Sequence, residues 1–424
     1  MADGRLSVPY CLPTNKEELH YRFKTGNNMA TTLYSGGALF DGTGPILRDH
    51  AVLVEGDSIT EVAPIEKFAD YQGARVDTTG GTLMPGMADC HVHLVFRGEA
   101  DPRGAIAGVN PAEITLRVLE NAQTSLKAGI TAVRDCGGKD FLEFPVRDAC
   151  NSGRFIGPNI MASGKMICMT GGHGNSSGRV ADGCDEVIKA VREQIHAGCD
   201  LIKIMATGGV MTKGVNPEDA HYSAEEMAAG VHEAKRFHKS SASHAQGAEG
   251  IMNAVNAGIS SIEHGIFMDQ ECLDAMLERG TFLVPTLAAV QNIIKNKDMG
   301  IADFVVEKAL RVFEKHRESF KMFYDAGGKI AMGTDAGTPF NIHGENAMEL
   351  AYMVECGMAP LDSMKSATSV AHDLMTLHDR GQIKKGFKAD MLIVNGNPEK
   401  DIMMVANTEN HRQVIKNGNA VTLP

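Results

Sequence analysis

The chain has 424 residues, of which 43% are hydrophobic and 22% are charged, and its formal net charge is -12. This length suits a large α/β barrel with an appendage, or two domains. The acidic balance and the scattered basic residues argue against a nucleic-acid-binding surface. No apolar run reaches about 18 residues, so no membrane span is predicted.

The first 28 residues are polar and mixed in charge, without the apolar core of a signal peptide. We treat residues 1–28 as an N-terminal extension, with Met29 as an alternative start because strand-like sequence follows it directly. The nine cysteines are scattered, odd in number and without a CxxC pair, which is typical of reduced thiols. We therefore expect a cytoplasmic protein.

Short strands with turns occupy both ends of the chain. Residues 29–84 contain "TLYSGGALFDG", "AVLVEGDSITEVA" and "TLMPG", and residues 380–424 contain "ADMLIVNGN" and "HRQVIKNGNAVTL". Two all-β pieces at opposite ends predict one small β-sandwich domain formed from both termini.

Strand and helix signals alternate through residues 85–379. Helical stretches such as "PAEITLRVLENAQTSLKAG" and "DEVIKAVREQIHAG" separate the strands, and Ser223 with Glu226 predicts a capping box. Eight strands separated by helices predict an α/β fold of the (β/α)8 barrel type, with a doubly wound sheet as the alternative. One strand should end near His91, and the others should span residues 131–135, 159–163, 200–205, 240–245, 260–264, 281–286 and 329–334.

The first chemical signal is "DCHVHL", which contains His91 and His93. Residues two apart on a strand point to one face, so both imidazoles can reach one ion. Alone, such a pair is as typical of packed or surface histidines as of metal ligands.

Three further motifs change this balance. "SASHA" and "SIEHG" place His244 and His264 at the ends of two successive strands, and "AMGTDAG" places Asp335 at the end of the last strand. Side chains at the C-terminal strand ends of a barrel converge on one mouth, where barrel enzymes hold their active sites. The five side chains together predict a metal site.

The stretch "LIKIM" places Lys203 among apolar residues in a strand that reads as fully buried. A salt-bridged core lysine, or one that reaches the rim, would explain it in isolation. Beside cations in the barrel mouth, burial favours a neutral amine, which can react with carbon dioxide. The resulting carbamate is anionic and has two oxygens, so it can bridge two metal ions.

In this order, "DCHVHL", "LIKIMATGGV", "SHA", "IEHG" and "GTDAGTP" resemble the amidohydrolase superfamily, in the branch with two metals and a carboxylated lysine. "MTGGHG", "DAHYS" and "IKIMATGGVMT" resemble the prolidase-like and ochratoxinase-like members, which are related to imidazolonepropionases. The resemblance begins near residue 30 and implies the barrel, the split β domain and a tendency to form homo-oligomers.

The resemblance also implies which side chains bind the metals. The first two histidines and the aspartate would bind the more buried ion, the later two histidines the more exposed ion, and the carboxylated lysine both. These ligands are His91, His93, Lys203, His244, His264 and Asp335.

Further roles follow from the same resemblance. Asp335 would accept the proton of the attacking water and pass it to the leaving nitrogen. His173 and Tyr222 would contact the scissile carbonyl oxygen or the substrate carboxylate. For Tyr222, an interfacial tyrosine with a solvated hydroxyl is a nearly equal alternative. Zinc is the expected metal, and manganese, cobalt or iron could replace it.

The implied reaction is hydrolysis of the amide bond in N-acyl amino acids or dipeptides with a free carboxylate, of the Xaa-Pro or ochratoxin A type. No single arginine stands out in the sequence as the carboxylate clamp. One alternative is a mononuclear deaminase or an imidazolonepropionase-like hydrolase, which would lack the bridging Lys203. Others are a non-catalytic binding homologue and a barrel with merely structural histidines.

Overall fold

The structure is a computed structural model that describes residues 31–423, so the extension 1–28 and the alternative start at Met29 lie outside the described residues. The strands are β1 Thr31–Ser35, β2 Ala38–Leu39, β3 His50–Glu55, β4 Ser58–Pro64, β5 Ala74–Asp77, β6 Gly81–Pro85, β7 Met87–Val92, β8 Ile130–Asp135, β9 Asn159–Ala162, β10 Ile167–Cys168, β11 Arg179–Val180, β12 Leu201–Met205, β13 Ser240–Ala245, β14 Ser261–His264, β15 Phe282–Val284, β16 Met391–Asn395, β17 His411–Lys416 and β18 Asn419–Ala420.

The α-helices fall mainly between the central strands. They are α1 Pro102–Ala105, α2 Pro111–Lys127, α3 Phe144–Asn151, α4 Gly183–Ala197, α5 Ala224–Arg236, α6 Ala248–Ala257, α7 Gln270–Arg279, α8 Leu287–Lys295, α9 Asp303–Asp325, α10 Met348–Glu355, α11 Pro360–Ala367, α12 Ser369–Leu374 and α13 Met403–Ala406. None of the described helices is long and apolar enough to cross a membrane.

Two sheets are built from the ends of the described chain. The first has the order β4-β3-β1-β5, and the second has the order β18-β17-β16-β6-β2. The second sheet joins early and late residues because β16 pairs antiparallel with β6 along its whole length. One apolar cluster contains side chains of both sheets, among them Tyr34, Val52, Ile59, Leu83, Met391 and Ile393.

Parallel strands form the centre of the molecule. Strand β7 pairs with β8, β8 pairs with β9, and β12 to β15 pair in sequence order. The Asp200 amide donates to the Ala162 carbonyl (2.9 Å), which connects β9 to β12. Helices follow the strands, so the α/β class is confirmed, and the order of strands is that of a (β/α)8 barrel.

The eighth barrel segment differs from the regular strand predicted at residues 329–334. It pairs with β15 through Leu283 and Ile330, and with β7 through Val92 and Ala336, by isolated bridges only. The Met332 amide donates to the Ser366 carbonyl instead of a neighbouring strand, which interrupts the ladder. The segment still closes the ring, because the Asp335 amide donates to the His91 carbonyl (2.7 Å).

The remaining strand and helix predictions agree with the structure within a residue or two, except that β15 is shorter than the predicted 281–286. Helix α5 begins with the predicted capping box, in which Ser223 and Glu226 each accept from the other's backbone amide. Strand β12 is buried at every residue, as its apolar sequence predicts. Its burial places Lys203 inside the barrel.

Candidate metal centre

Six of the predicted site residues meet at one end of the barrel. The imidazole centroids of His91 and His93 lie 5.4 Å apart, those of His91 and His264 lie 5.3 Å apart, and those of His244 and His264 lie 4.5 Å apart. Lys203 and Asp335 line the same cavity as these four rings. The parallel strands cause this convergence, because their carboxyl ends all face one mouth.

Backbone carbonyls fix the tautomers of two of these imidazoles. His93 Nδ1 lies 2.9 Å from the Gly137 carbonyl, and His244 Nε2 lies 2.8 Å from the Gly208 carbonyl. A carbonyl can only accept, so each of these nitrogens carries the ring proton. The lone pair is therefore on Nε2 of His93 and on Nδ1 of His244, where a metal could be bound.

Glu263 fixes the third imidazole. Its carboxylate accepts from His91 Nδ1 (2.8 Å), from the Arg134 guanidinium (2.8 Å) and from the Ser261 hydroxyl (2.6 Å). Burial raises the pKa of Glu263, but the Arg134 charge and the hydrogen bond from His91 act together with the other nearby positive charge to hold this pKa well below its usual range. The permanent carboxylate keeps the proton of His91 on Nδ1 and its lone pair on Nε2.

Thr286 fixes the fourth imidazole. Its hydroxyl donates to the Pro285 carbonyl (2.6 Å) and lies 2.6 Å from His264 Nδ1, from which it must therefore accept. The lone pair of His264 is thus on Nε2. Burial lowers the pKa of both His91 and His244 well below the usual value of histidine, so both rings are neutral at pH 7.

Several lone pairs converge on Asp335. Its Oδ1 lies 3.1 Å from His93 Nε2 and 3.4 Å from His91 Nε2, and it has no hydrogen-bond partner. The ligand atoms of His91, His264 and Asp335 all lie within 4.8 Å of one another. These accepting atoms repel each other at such distances unless a metal ion or a proton lies between them. Burial opposes a charge on the His93 ring, but the adjacent Asp335 carboxylate raises the pKa of His93 above its usual value.

Lys203 is 1% exposed, and its Nζ has no hydrogen-bond partner among the described residues. A buried ammonium without an acceptor is strongly unfavourable. The residues thus fit a metal site whose ligands include a chemically altered lysine better than one with a free ammonium. A second possible grouping, His91 with Cys136 and Glu263, fits less well because Glu263 is already bonded to three donors.

Three residues at successive strand ends adopt a left-handed backbone: His264 (φ 74°), Thr286 (φ 55°) and Asp335 (φ 61°). This conformation is unfavourable for residues other than glycine and concentrates at functional sites. Here it lets the chain leave the barrel while the side chains at these turns remain in the mouth.

His173 lies beside this cluster and Tyr222 does not line the cavity. The His173 ring centroid is 4.5 Å from that of His244, and His173 Nδ1 is 2.7 Å from the Thr212 hydroxyl. The ring packs against Gly209, where any side chain would meet it at 2.7 Å. The Tyr222 hydroxyl is buried and donates to the Ala181 carbonyl (2.8 Å).

The cavity in front of the cluster opens to solvent and is lined by the clustered imidazoles on one side. One wall is apolar and contains side chains from helix α8 and from the loops after β12 and β14. These residues are Val210, Met211, Ile266, Ala289, Val290 and Ile293. A small molecule that is apolar on one side fits this space.

Two buried carboxyl groups lie behind His93. Asp135 accepts from the amides of Leu94 (2.8 Å) and Gly137 (2.9 Å), which positions the carbonyl that binds His93. Both carboxyl oxygens of Glu143 lack a hydrogen-bond partner among the described residues. Burial, followed by the charge of Asp135, raises the pKa of Glu143 to about 8.

The sequence patterns did not indicate the residues that orient the clustered imidazoles. Glu263 directly precedes His264 in "SIEHG", so a buried acid beside a proposed ligand was a usable signal. Arg134 and Thr286 had no such signal, because their contacts join residues far apart in the chain.

Comparison with known proteins identifies the family to which this chain is similar along most of its length. The Amidohydrolase family model matches residues 82–421. Ochratoxinase of Aspergillus niger is 31% identical over 97% of this chain and 92% of its own length. An imidazolonepropionase of Cutibacterium acnes is 25% identical over 82% of this chain and 84% of its own length. A solved Xaa-Pro dipeptidase with bound methionine in its active site has a TM-score of 0.85 and 34% identity over 92% of this chain and all of that chain. The resemblance predicted from the motifs is confirmed.

Changing Glu143 to Gln should alter how stability depends on pH. The pKa of Glu143 rises from 4.5 to about 8 on folding, so unfolding releases a proton between these values. The free energy of unfolding of the wild type therefore falls as pH rises through this window. In Glu143→Gln, which has no titrating group at this position, the free energy of unfolding should not show this fall. Urea unfolding should show the variant gaining about 1 kcal/mol or more over wild type between pH 5 and pH 8.

The exposed Glu113, in the first turn of α2, provides the control, and Glu113→Gln should show no such trend. A pH-independent difference between Glu143→Gln and the wild type would contradict the raised pKa.

Proposed function

The chain belongs to the amidohydrolase family and is a hydrolase acting on amide bonds, and we propose that it is a binuclear metal-dependent enzyme. The observation that carries this proposal is the convergence of four imidazoles and the Asp335 carboxylate on the cavity that holds the Lys203 amine, which has no hydrogen-bond partner among the described residues. A mononuclear deaminase or an imidazolonepropionase-like enzyme would leave this buried lysine without a role.

The donor set supports two divalent ions, most simply zinc, because imidazole nitrogen and anionic oxygen both suit it. His91, His93 and Asp335 would hold one ion, and His244 and His264 the other. Lys203, carboxylated by carbon dioxide, would help to hold both ions. When bound, the ions would supply Lewis acidity and make water more acidic.

The protein side chains then carry the proton and orient the substrate. Asp335 would accept the proton of the attacking water as the carbon–oxygen bond forms. It would return this proton to the nitrogen as the carbon–nitrogen bond breaks, which gives a carboxylate and an amine. His173 would donate a hydrogen bond to the carbonyl oxygen. A direct contact of Tyr222 with substrate would require its hydroxyl to leave Ala181, so we assign it a positioning role.

The proposed substrates are N-acyl amino acids or dipeptides with a free C-terminal carboxylate. Two observations support this class: the similarity to ochratoxinase and to a Xaa-Pro dipeptidase, and the apolar wall of the cavity. Xaa-Pro dipeptides and ochratoxin A are the leading individual candidates.

We also propose an arrangement of the chain. Residues 29–84 with 380–424 form a β-sandwich domain, supported by the apolar cluster shared by the two sheets. Residues 85–379 form the catalytic barrel. The eight cysteines among the described residues form no disulfide, which supports a cytoplasmic location. A homo-oligomer is proposed from the family resemblance alone.

A panel of substrates tests the reaction. The zinc-loaded protein should hydrolyse N-acyl amino acids and dipeptides, including ochratoxin A and Xaa-Pro compounds, with release of the amine measured by chromatography. Ammonia release from amino-substituted heterocycles, without hydrolysis of any acyl amino acid, would favour the deaminase alternative.

Changing Lys203 to Ala should lower the metal content from about two ions per chain to about one and abolish turnover. The wild type grown with ¹³C-labelled bicarbonate should show a carbamate signal by NMR, and the variant should not. Lys189→Ala, which removes an exposed ammonium on α4, should retain both metals and the signal. Two ions and full activity in Lys203→Ala would contradict the bridging role.

Changing Asp335 to Asn should lower kcat by about 10²-fold or more, because general acid–base catalysis contributes about that much. The side chain keeps its size and one carbonyl oxygen, so metal analysis should still find at least one bound ion. A rate near that of the wild type would show that Asp335 serves only as a ligand.

A further inference from the structure

Arg103 lies at the side of the cavity, close to the proposed catalytic centre. It belongs to the short helix α1, which begins at Pro102 and is capped by Asp101, whose carboxylate accepts from the Gly104 amide (3.0 Å). The Arg103 side chain is half-buried and is among the residues that line the cavity. The turn around it thus directs a cation into the substrate space.

The charge of Arg103 has no carboxylate partner within 4 Å among residues 31–423; its nearest polar contact is the neutral Thr212 hydroxyl (3.3 Å). Two other cations of this region have several polar partners. Lys308 donates to three backbone carbonyls of the loop after β12, and Arg311 pairs with Glu218. Partial burial of a guanidinium without an anionic partner costs free energy, and a bound anionic ligand would compensate for this cost.

A chain of contacts joins Arg103 to the metal-binding cluster. The Arg103 guanidinium donates to the Thr212 hydroxyl, which lies 2.7 Å from His173 Nδ1. The His173 ring in turn lies against His244, with 4.5 Å between centroids. Arg103 is therefore separated from the proposed carbonyl-binding histidine by a single hydroxyl group.

This spacing matches the chemistry of an N-acyl amino acid. Its carboxylate carbon lies two bonds beyond the scissile nitrogen, about 2.5 Å away. A carboxylate in that position must be recognised within one side-chain length of the group that binds the scissile carbonyl. A planar guanidinium can bind it through two parallel hydrogen bonds.

We propose that Arg103 is the specificity-determining residue that binds the free carboxylate of the substrate, which rests on the amide hydrolysis proposed above. The apolar wall of α8 and Ile266 then receives the apolar part of the substrate. The cavity thereby selects compounds that are anionic on the leaving-amine side and apolar elsewhere.

The test compares matched substrates with and without the carboxylate. N-acetyl-L-phenylalanine and its C-terminal amide are assayed for acetate release by wild type, Arg103→Met and Arg103→Lys. The wild type should prefer the carboxylate compound by about 10²-fold in kcat/KM. Arg103→Met should lose about 10²-fold on that compound and change little on the amide, and Arg103→Lys should recover part of the loss.

Lys308→Met is the matched control, because it removes a cation of helix α9 that contacts the loop after β12 and is not among the residues lining the cavity. It should lower the activity on both compounds by the same factor. If it abolishes the preference as Arg103→Met does, the shape of the loop and not Arg103 determines selectivity, and the proposal is overturned. The proposal is also overturned if Arg103→Met lowers the activity on both compounds by the same factor.

Product binding separates this proposal from the proposed reaction. Calorimetry with L-phenylalanine and L-phenylalaninamide needs no turnover, and the wild type should bind the carboxylate at least about 10-fold more tightly. Arg103→Met should lose this difference. If Arg103→Met loses this difference in affinity but the wild type hydrolyses no compound of the panel, the proposed reaction is refuted and the carboxylate site is retained. Hydrolysis without any carboxylate preference, or equal binding of both products, would refute the site alone.

Discussion

The geometry of the site depends on one constraint: each of the four clustered imidazoles has a single lone pair, and a protein acceptor on the other nitrogen decides where it lies. Gly137 and Gly208 do this with carbonyls, Glu263 with a carboxylate and Thr286 with a hydroxyl whose own proton is already committed to Pro285. Because each of these groups accepts, it holds the ring proton on the nitrogen that it contacts, so the position of each lone pair is set before any ligand is bound. This preorganisation is what orienting partners of metal ligands generally provide.

The barrel makes this constraint possible. Its parallel strands bring residues from distant parts of the chain to one edge, and the left-handed backbone at His264, Thr286 and Asp335 lets the chain turn away there. The irregular eighth segment combines incomplete strand pairing with a fixed position for Asp335. It gives up regular pairing, yet its Asp335 amide still bonds to the His91 carbonyl, which fixes the carboxylate beside the two histidines of β7.

The selectivity that we propose depends on a different part of the molecule. The strands supply the cluster, whereas the short helix α1, the loop after β12 and helix α8 supply the cavity walls around it. Loops tolerate sequence change better than the strands that they connect, so one barrel can present the same chemistry to different substrates. In this chain, Arg103 and the apolar wall give the cavity one cationic and one apolar side.

The sequence alone could predict most of the fold and the meeting of six polar side chains at one end of the barrel. Local patterns sufficed for the strands, for the capping box at Ser223, and for the candidate ligands at strand ends, such as His91 and His264. Lys203 was recognisable because a lysine in a fully apolar strand contradicts its local pattern. These features depend on periodicity and on neighbours in sequence, which a single chain displays directly.

The tertiary structure decided what depends on pairs distant in sequence. The contact of Arg134 with Glu263 spans 129 residues, and that of Arg103 with Thr212 spans 109 residues. The tertiary structure also shows that the Tyr222 hydroxyl contacts the Ala181 carbonyl and not the cavity where the sequence predicted it. In the same way, only the folded chain shows that Arg103 has no carboxylate partner among the described residues. Such facts concern which polar groups are satisfied in the folded chain. They become determined only when burial removes water, because only then does an unpaired charge or lone pair carry a cost.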